Sequence, residues 1–330
     1  MADLAVAMIG CGGIAEAYCD AMRDVPGAAL VAVVDPDPAA AARLAARAGA
    51  PACADLSELG RCDAALVLTP PNTHEALSLA LLERGAHVLC EKPLAPTLAA
   101  ADRMLDGAAA AGRQLMMGSK FRFTPDVQQA RRLLDQGVCG DVVLYENVFC
   151  SHVDMTQRWN SRPEVSGGGV LVDNGCHSVD LARYLLGPLA RVQAQFGRRV
   201  QDLPVEDTAR MLFRSRSEAL GSIDLSWSVH KQTDAYVRLI GTAGTIEIGW
   251  RGSRWKAADG AWQPFGAGYE KIAAFRAQLS NFFATCRGEA RPVIDDTDAR
   301  ASVAVIECAY RAADEERWVT IPPPPEVVAP

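Results

Sequence analysis

Three polar residues share one face of an apolar stretch: Asp173, His177 and Asp180. Their i, i+4 and i+3 spacing stacks them on one side of a helix. A histidine with a carboxylate one turn away can be oriented and tuned as a general base near neutral pH. A plain helix-face salt bridge has the same spacing. Here, however, the stretch Val170–Leu186 is otherwise apolar and follows Gly167, Gly168 and Gly169, so its polar groups need a reason. A lysine, Lys92, closes a second apolar run in the order Cys90, Glu91, Lys92, Pro93. The proline confines residue 92 to extended geometry. A lysine held so at a cleft edge can donate a proton or hydrogen bond to a substrate oxygen.

A third cluster is built for phosphate. Gly10, Gly12 and Gly13 with Ile14 and Ala15 fit GxGxx[GA] directly after an apolar run. Gly10 permits the tight turn, Gly12 lets backbone approach a pyrophosphate, and the following helix turns its N-terminus to the phosphates. Asp35 then closes the next apolar run. An acid there can accept from a ribose diol and would repel a 2′-phosphate, which favours NAD over NADP. Asp37 is free to cap the helix that starts at Pro38, so Asp35 is not needed for that.

These residues call for a frame. From Leu4 to about Gly118 the apolar runs Leu4–Ile9, Ala29–Val34, Ala64–Leu68, His87–Cys90 and Gln114–Met117 alternate with Ala-rich helical stretches. The latter are Pro38–Ala48, Glu75–Arg84 and Leu98–Ala111. Runs apolar throughout belong to strands buried on both faces, and the alternation predicts a doubly wound α/β domain with a parallel sheet. After a helix near Pro125–Gln136 the rhythm changes. Asp141–Cys150, Arg191–Phe196, Thr208–Phe213, Ala219–Trp227, Ala235–Ile240 and Gly244–Ile248 read as strands, several with no helix between them. Gly241 to Gly244 makes a hairpin link. The second half is therefore α+β with an open, mainly antiparallel sheet, plus helices at Val170–Leu186, Glu270–Arg287 and Asp298–Arg311. The proline run from Ile321 to Pro325 reads as extended. The domains divide as 1–120 and 121–330.

Composition narrows the class. With 33 basic and 40 acidic side chains in 330 residues the net charge is −7, a poor match for a nucleic-acid backbone. No apolar run approaches the roughly 18 residues a membrane span needs. The first apolar run lacks the basic flank of an export signal. Ten cysteines from Cys11 to Cys308 form no CxxC pair, which fits reduced thiols and a cytoplasmic location. The five histidines lie far apart, so no metal site is expected.

Together the motifs resemble the glucose–fructose oxidoreductase/inositol dehydrogenase/MocA (Gfo/Idh/MocA) family. The resemblance rests on Gly10–Ala15, on Thr69, Pro70, Asn72 and His74 of a TPPNxxH-like segment, and on Glu91-Lys92-Pro93. It also rests on the GxxGD turn at Gly137–Asp141 and on GGGxxxDxGxHxxD at Gly167–Asp180. It implies an N-terminal Rossmann domain and a C-terminal substrate-binding and oligomerisation domain. It implies Lys92, Asp173 and His177 as the catalytic set. NAD contacts are expected from Gly10, Gly12, Gly13, Ile14, Asp35, Thr69, Pro70, Asn72, His74, Glu91 and Lys92. The expected reaction is reversible oxidation of a secondary ring hydroxyl of a sugar, cyclitol or (amino)glycoside. Transient oxidation coupled to glycosidic cleavage or elimination is the alternative, and a non-catalytic nucleotide sensor a third. Arg122, Arg158, Trp159, Asn160 and His230 are candidate substrate contacts, with 152–167 as a lid. Strands such as Ala219–Trp227 and Tyr236–Ile240 place apolar residues on both faces, which predicts a homodimer or homotetramer.

Overall fold

Six short strands, each apolar enough to be buried on both faces, build the first sheet. In the computed structural model, which describes residues 3–231 and 233–323, they are β1 (Leu4–Ile9), β2 (Ala28–Val34), β3 (Ala52–Cys53), β4 (Ala64–Val67), β5 (His87–Glu91) and β6 (Leu115–Gly118). Their order is β3-β2-β1-β4-β5-β6, and every pairing is parallel. Helices α1 (Gly13–Met22), α2 (Pro38–Ala48), α3 (His74–Glu83) and α4 (Leu98–Ala111) make the crossovers. Local chemistry sets their ends. Asp37 caps α2 by accepting from the Ala39 N–H at 2.9 Å. Gly49, at φ 68°, ends that helix in the left-handed region that glycine tolerates. The strand order reverses between β1 and β4, so a crevice opens at their carboxyl ends.

The second sheet has nine strands in the order β14-β13-β12-β11-β7-β10-β9-β8-β15. Its helices α5 (Pro125–Asp135), α6 (Pro163–Ser166) and α7 (Val170–Leu186) and its strands β7 (Val142–Cys150), β8 (Leu189–Phe196), β9 (Thr208–Ser215), β10 (Leu220–Ser226), β11 (Ala235–Gly241), β12 (Gly244–Gly249), β13 (Ser253–Ala257) and β14 (Gln263–Phe265) precede α8 (Lys271–Cys286), α9 (Asp296–Asp314) and β15 (Val319–Thr320). The β7–β10 pairing is parallel and the others are antiparallel. Burial alternates along β9 and β10. Ala209, Met211, Phe213, Ile223 and Leu225 are buried, and α7 packs against β7, β9 and β10. The opposite face carries exposed Leu144, Leu212 and Leu220 among ion pairs such as Arg210–Asp224 and Arg238–Glu146.

The chain forms two compact units, but neither is continuous. The first joins residues 1–123 to 270–299, and the second joins 124–269 to 300–330. Where the sequence reads 121–330 as one block, α8 belongs to the first unit. Its Phe275 ring lies 4.4 Å from the Tyr18 ring of α1, and Gln278 Nε2 donates to the Tyr18 hydroxyl at 2.7 Å. The expected proline run leaves the described residues at Pro324. Among the described residues no helix is long and apolar enough to cross a membrane.

Candidate active site

In the first unit the glycine loop leaves β1 and meets the end of β4. A Cβ on Gly10 would stand 2.8 Å from the Leu68 carbonyl oxygen and 2.9 Å from Thr69 Cγ2, and its φ is +97°; both facts require glycine. At Gly12 and Gly13 the added Cβ meets nothing within 4 Å. Gly12 is the N-cap of α1 and offers no side-chain cap, so the first N–H groups of that helix face open space. Asp35 sits beside them. Its Oδ2 accepts from the Cys11 N–H at 2.7 Å and its Oδ1 from the Asp37 N–H at 2.9 Å. An uncapped helix N-terminus, room above it and a carboxylate at its edge fit a dinucleotide's pyrophosphate and ribose diol. Burial, with Asp35 adding to it, pushes the Cys11 thiol up to about 12, so it stays neutral in the glycine loop.

The β4 and β5 loops are tied by His74. It is fully buried, with Nδ1 2.9 Å from the Pro93 carbonyl oxygen and Nε2 2.9 Å from that of Thr69. Burial holds its pKa below the ordinary histidine range, against the pull of those carbonyls. Both ring nitrogens are thus engaged with backbone. Glu91 is similarly occupied. Its Oε1 accepts from the Tyr18 hydroxyl at 2.7 Å and its Oε2 from the Lys92 N–H at 3.1 Å. Lys92 itself is half-buried, and the Lys92–Pro93 peptide is cis. Thr69 and Pro70 are half-buried and Asn72 is exposed. Thr73 Oγ1 donates to Thr69 Oγ1 at 2.7 Å. The His74 and Glu91 side chains both brace the loops that carry Thr69 and Lys92. Nothing in the sequence marks Tyr18 as the donor to Glu91, or Gln278 as the donor to Tyr18.

Arg122, a candidate substrate contact, is engaged inside the first unit. Its side chain is 2 % exposed and pairs with Asp298 Oδ2 at 2.5 Å, and it donates to the Val293 carbonyl at 3.1 Å. All these residues lie in the first unit, where the guanidinium joins the segment after α8 to the segment after β6.

In the second unit α7 carries the other candidate groups. His177 and Asp180 are buried and Asp173 half-buried, on a helix whose residues are otherwise mostly apolar and buried. The 152–167 segment contains a turn of 3-10 helix at Trp159–Ser161 and then α6. Arg158 is exposed, and Trp159 and Asn160 are half-buried. His230 is exposed and stacks on His152 with ring centroids 5.7 Å apart. The start of the segment is pinned rather than loose. Gln201 Oε1 accepts from the Met155 N–H at 2.9 Å, and its Nε2 donates to the Val153 carbonyl at 2.9 Å.

Known proteins match both halves. Residues 4–119 fit the family model described as an oxidoreductase family with an NAD-binding Rossmann fold. Residues 127–247 fit the GFO/IDH/MocA C-terminal domain. The chain is 31 % identical over 309 residues to inositol 2-dehydrogenase 1 of Saccharopolyspora erythraea, with 88 % of each chain covered. It is 27 % identical over 342 residues to D-apiose dehydrogenase of Paraburkholderia graminis, covering 96 % of this chain and 89 % of that one. A levoglucosan dehydrogenase solved with NADH shares the fold at TM-score 0.91 and 20 % identity, over 98 % of this chain and 100 % of that one.

Proposed function

The chain belongs to the Gfo/Idh/MocA oxidoreductase family, and on that premise we propose that it reversibly oxidises a secondary ring hydroxyl of a sugar, cyclitol or (amino)glycoside to a ketone, with NAD as partner. The supporting observation is α7. A helix buried along most of its length keeps Asp173, His177 and Asp180 at the spacing of one face. Burying ionisable groups is costly unless they are used or paired.

NAD, when bound, supplies the acceptor for the carbinol hydride. The N–H groups at Gly12, Gly13 and Ile14 hold the pyrophosphate, and Asp35 holds the ribose diol. His177 takes the hydroxyl proton. Asp173 orients the imidazole and accepts from a substrate hydroxyl. Lys92 hydrogen-bonds the reacting oxygen and offsets the negative charge that develops there. Trp159 gives a flat apolar surface for a sugar ring, and Arg158, Asn160 and His230 give polar contacts.

The same reading includes a homodimer or homotetramer. The face of the second sheet that holds exposed Leu144, Leu212 and Leu220 is apolar enough between its ion pairs to pair with a copy of itself across a two-fold axis. Ten free cysteines suit the reducing cytoplasm. The test of the reaction is a panel of sugars, aminosugars and cyclitols with NAD, read by NADH absorbance. NADH that accumulates with ketone supports the reading. Glycosidic cleavage without net NADH overturns it in favour of transient oxidation.

A further inference from the structure

Helix α7 has no cap of its own. Gly169 stands at the N-cap with no side-chain hydrogen bond to offer, yet the helix start is buried and its donors need partners. They find them 37 and 35 residues downstream, where Glu206 Oε1 accepts from the Gly169 and Leu171 N–H groups, each at 3.0 Å. The Glu206 carbonyl accepts from the Val170 N–H at 2.9 Å. Tyr310 completes the clasp, its hydroxyl donating to the same Oε1 at 2.7 Å. The glycines before α7 exist for this approach. A Cβ on Gly169 would stand 2.0 Å from the Glu206 carbonyl oxygen, and one on Gly168 2.0 Å from the Tyr310 hydroxyl.

The next residue, at a bend just before β9, bonds a different set of partners. Asp207 Oδ2 accepts from the Val200 and Gln201 N–H groups at 2.8 Å and from the Ser228 hydroxyl at 2.6 Å. The Gln201 so fixed is the side chain that grips Val153 and Met155. It also donates to the Trp227 carbonyl at 3.1 Å. That grip sits at the root of the segment leading to Arg158, Trp159 and Asn160.

We propose that Glu206 and Asp207 form one positioning pair: Glu206 sets the helix that carries Asp173 and His177, and Asp207, through Gln201, sets the substrate segment. The assignment of two separate kinetic effects rests on the dehydrogenase reading above. Each residue acts through others, and neither is assigned a contact with substrate. Burial outweighs the donors around Glu206 and leaves its carboxyl above the ordinary range. Oε1 accepts in either protonation state, so an amide is an adequate replacement.

The test uses full-length Glu206→Ala, Glu206→Gln and Asp207→Ala. It reads kcat and KM for a polyol that turns over, NAD affinity, and amide hydrogen exchange. Glu206→Ala lowers kcat by about tenfold or more, the scale of a catalytic group displaced by a fraction of an ångström, with KM and NAD affinity near wild type. Exchange speeds up at 169–172, and Glu206→Gln restores both. Asp207→Ala raises KM for the polyol more than it lowers kcat and speeds exchange at 153–156. If Glu206→Ala does not fold, Tyr310→Phe, which removes one hydroxyl, is read on the same scale. Wild-type exchange at 169–172 in Glu206→Ala overturns the proposal. So does an equal loss of kcat, KM and NAD affinity in both alanine variants, the mark of general loosening. If no polyol is turned over by the wild type, the dehydrogenase reading fails, and exchange alone decides the placement of α7 and the 153–156 segment.

Discussion

The carboxylate of Asp35 is bonded to the backbone of the glycine loop: its Oδ2 accepts from the Cys11 N–H at 2.7 Å. One bond fixes the end of β2 to the turn after β1, and the negative charge is held where the adenosine ribose of a dinucleotide lies. A 2′-phosphate at that place meets an anion, and neighbouring Pro36 gives it no cation. The double change Asp35→Ser with Pro36→Arg therefore moves the NADP/NAD affinity ratio upward by at least about tenfold, or ~1.4 kcal/mol. Titration of both nucleotides checks it, and an unchanged ratio contradicts the role given to Asp35.

Arg122 separates a substrate contact from a structural strut. Its guanidinium is almost wholly buried against Asp298. Arg122→Ala leaves the Val293 carbonyl and Asp298, whose side chain is 24 % exposed, without this partner, so it destabilises the fold by about 1–3 kcal/mol. Urea unfolding measures this. A variant of wild-type stability with a raised KM returns Arg122 to the substrate.

Asp207 contributes to the pH dependence of stability. Burial pushes its carboxyl up, but the Ser228 hydroxyl and the Gln201 and Val200 N–H groups outweigh burial and hold it below the usual aspartate range. Between the folded and unfolded values the unfolded chain binds more protons, so stability falls with falling pH. The contribution is full above the unfolded value of about 4 and is lost as pH drops through the folded one. Asp207→Asn thus melts below wild type near neutral pH, and the gap narrows below about pH 4. A gap of constant size across that range contradicts this.

Light scattering at micromolar protein tests self-association. The expected mass is two or four times the 35.2 kDa chain, and Leu212→Glu with Leu220→Glu lowers it. A wild-type mass of one chain contradicts pairing through the outer sheet face.

The parallel half of the fold was readable because strands such as Ala64–Val67 are buried throughout and so are apolar throughout. The β11–β12 hairpin was readable from its glycines. Strands β3 and β15 have two residues each, and β13 and β14 are short with no clear apolar alternation, so pairing alone defines them. Helical periodicity shows that α8 has an apolar face but not that Tyr18 receives it. Residue type made Arg122 look like a ligand group, although Asp298, 176 positions away, neutralises it. A motif shows where His74 and Glu91 stand but not which atoms their side chains bond, so their Pro93, Thr69 and Tyr18 partners were not legible. Glu206 gave no signal, since a cap supplied from 37 residues away lies outside any local capping pattern.

The proposed reaction passes a hydride from a ring carbon to NAD, and isotope transfer follows that hydride. A polyol from the panel, deuterated at the reacting carbinol carbon, is incubated with NAD and enzyme, and the nucleotide is weighed by mass spectrometry. Deuterium in NADH, formed in step with ketone, is the predicted result. Lys92→Ala and His177→Ala slow it by about 10²-fold or more, the scale of a positioned acid–base or charge-stabilising group. Product formed with no deuterium in NADH, or both variants turning over at the wild-type rate, contradicts the account.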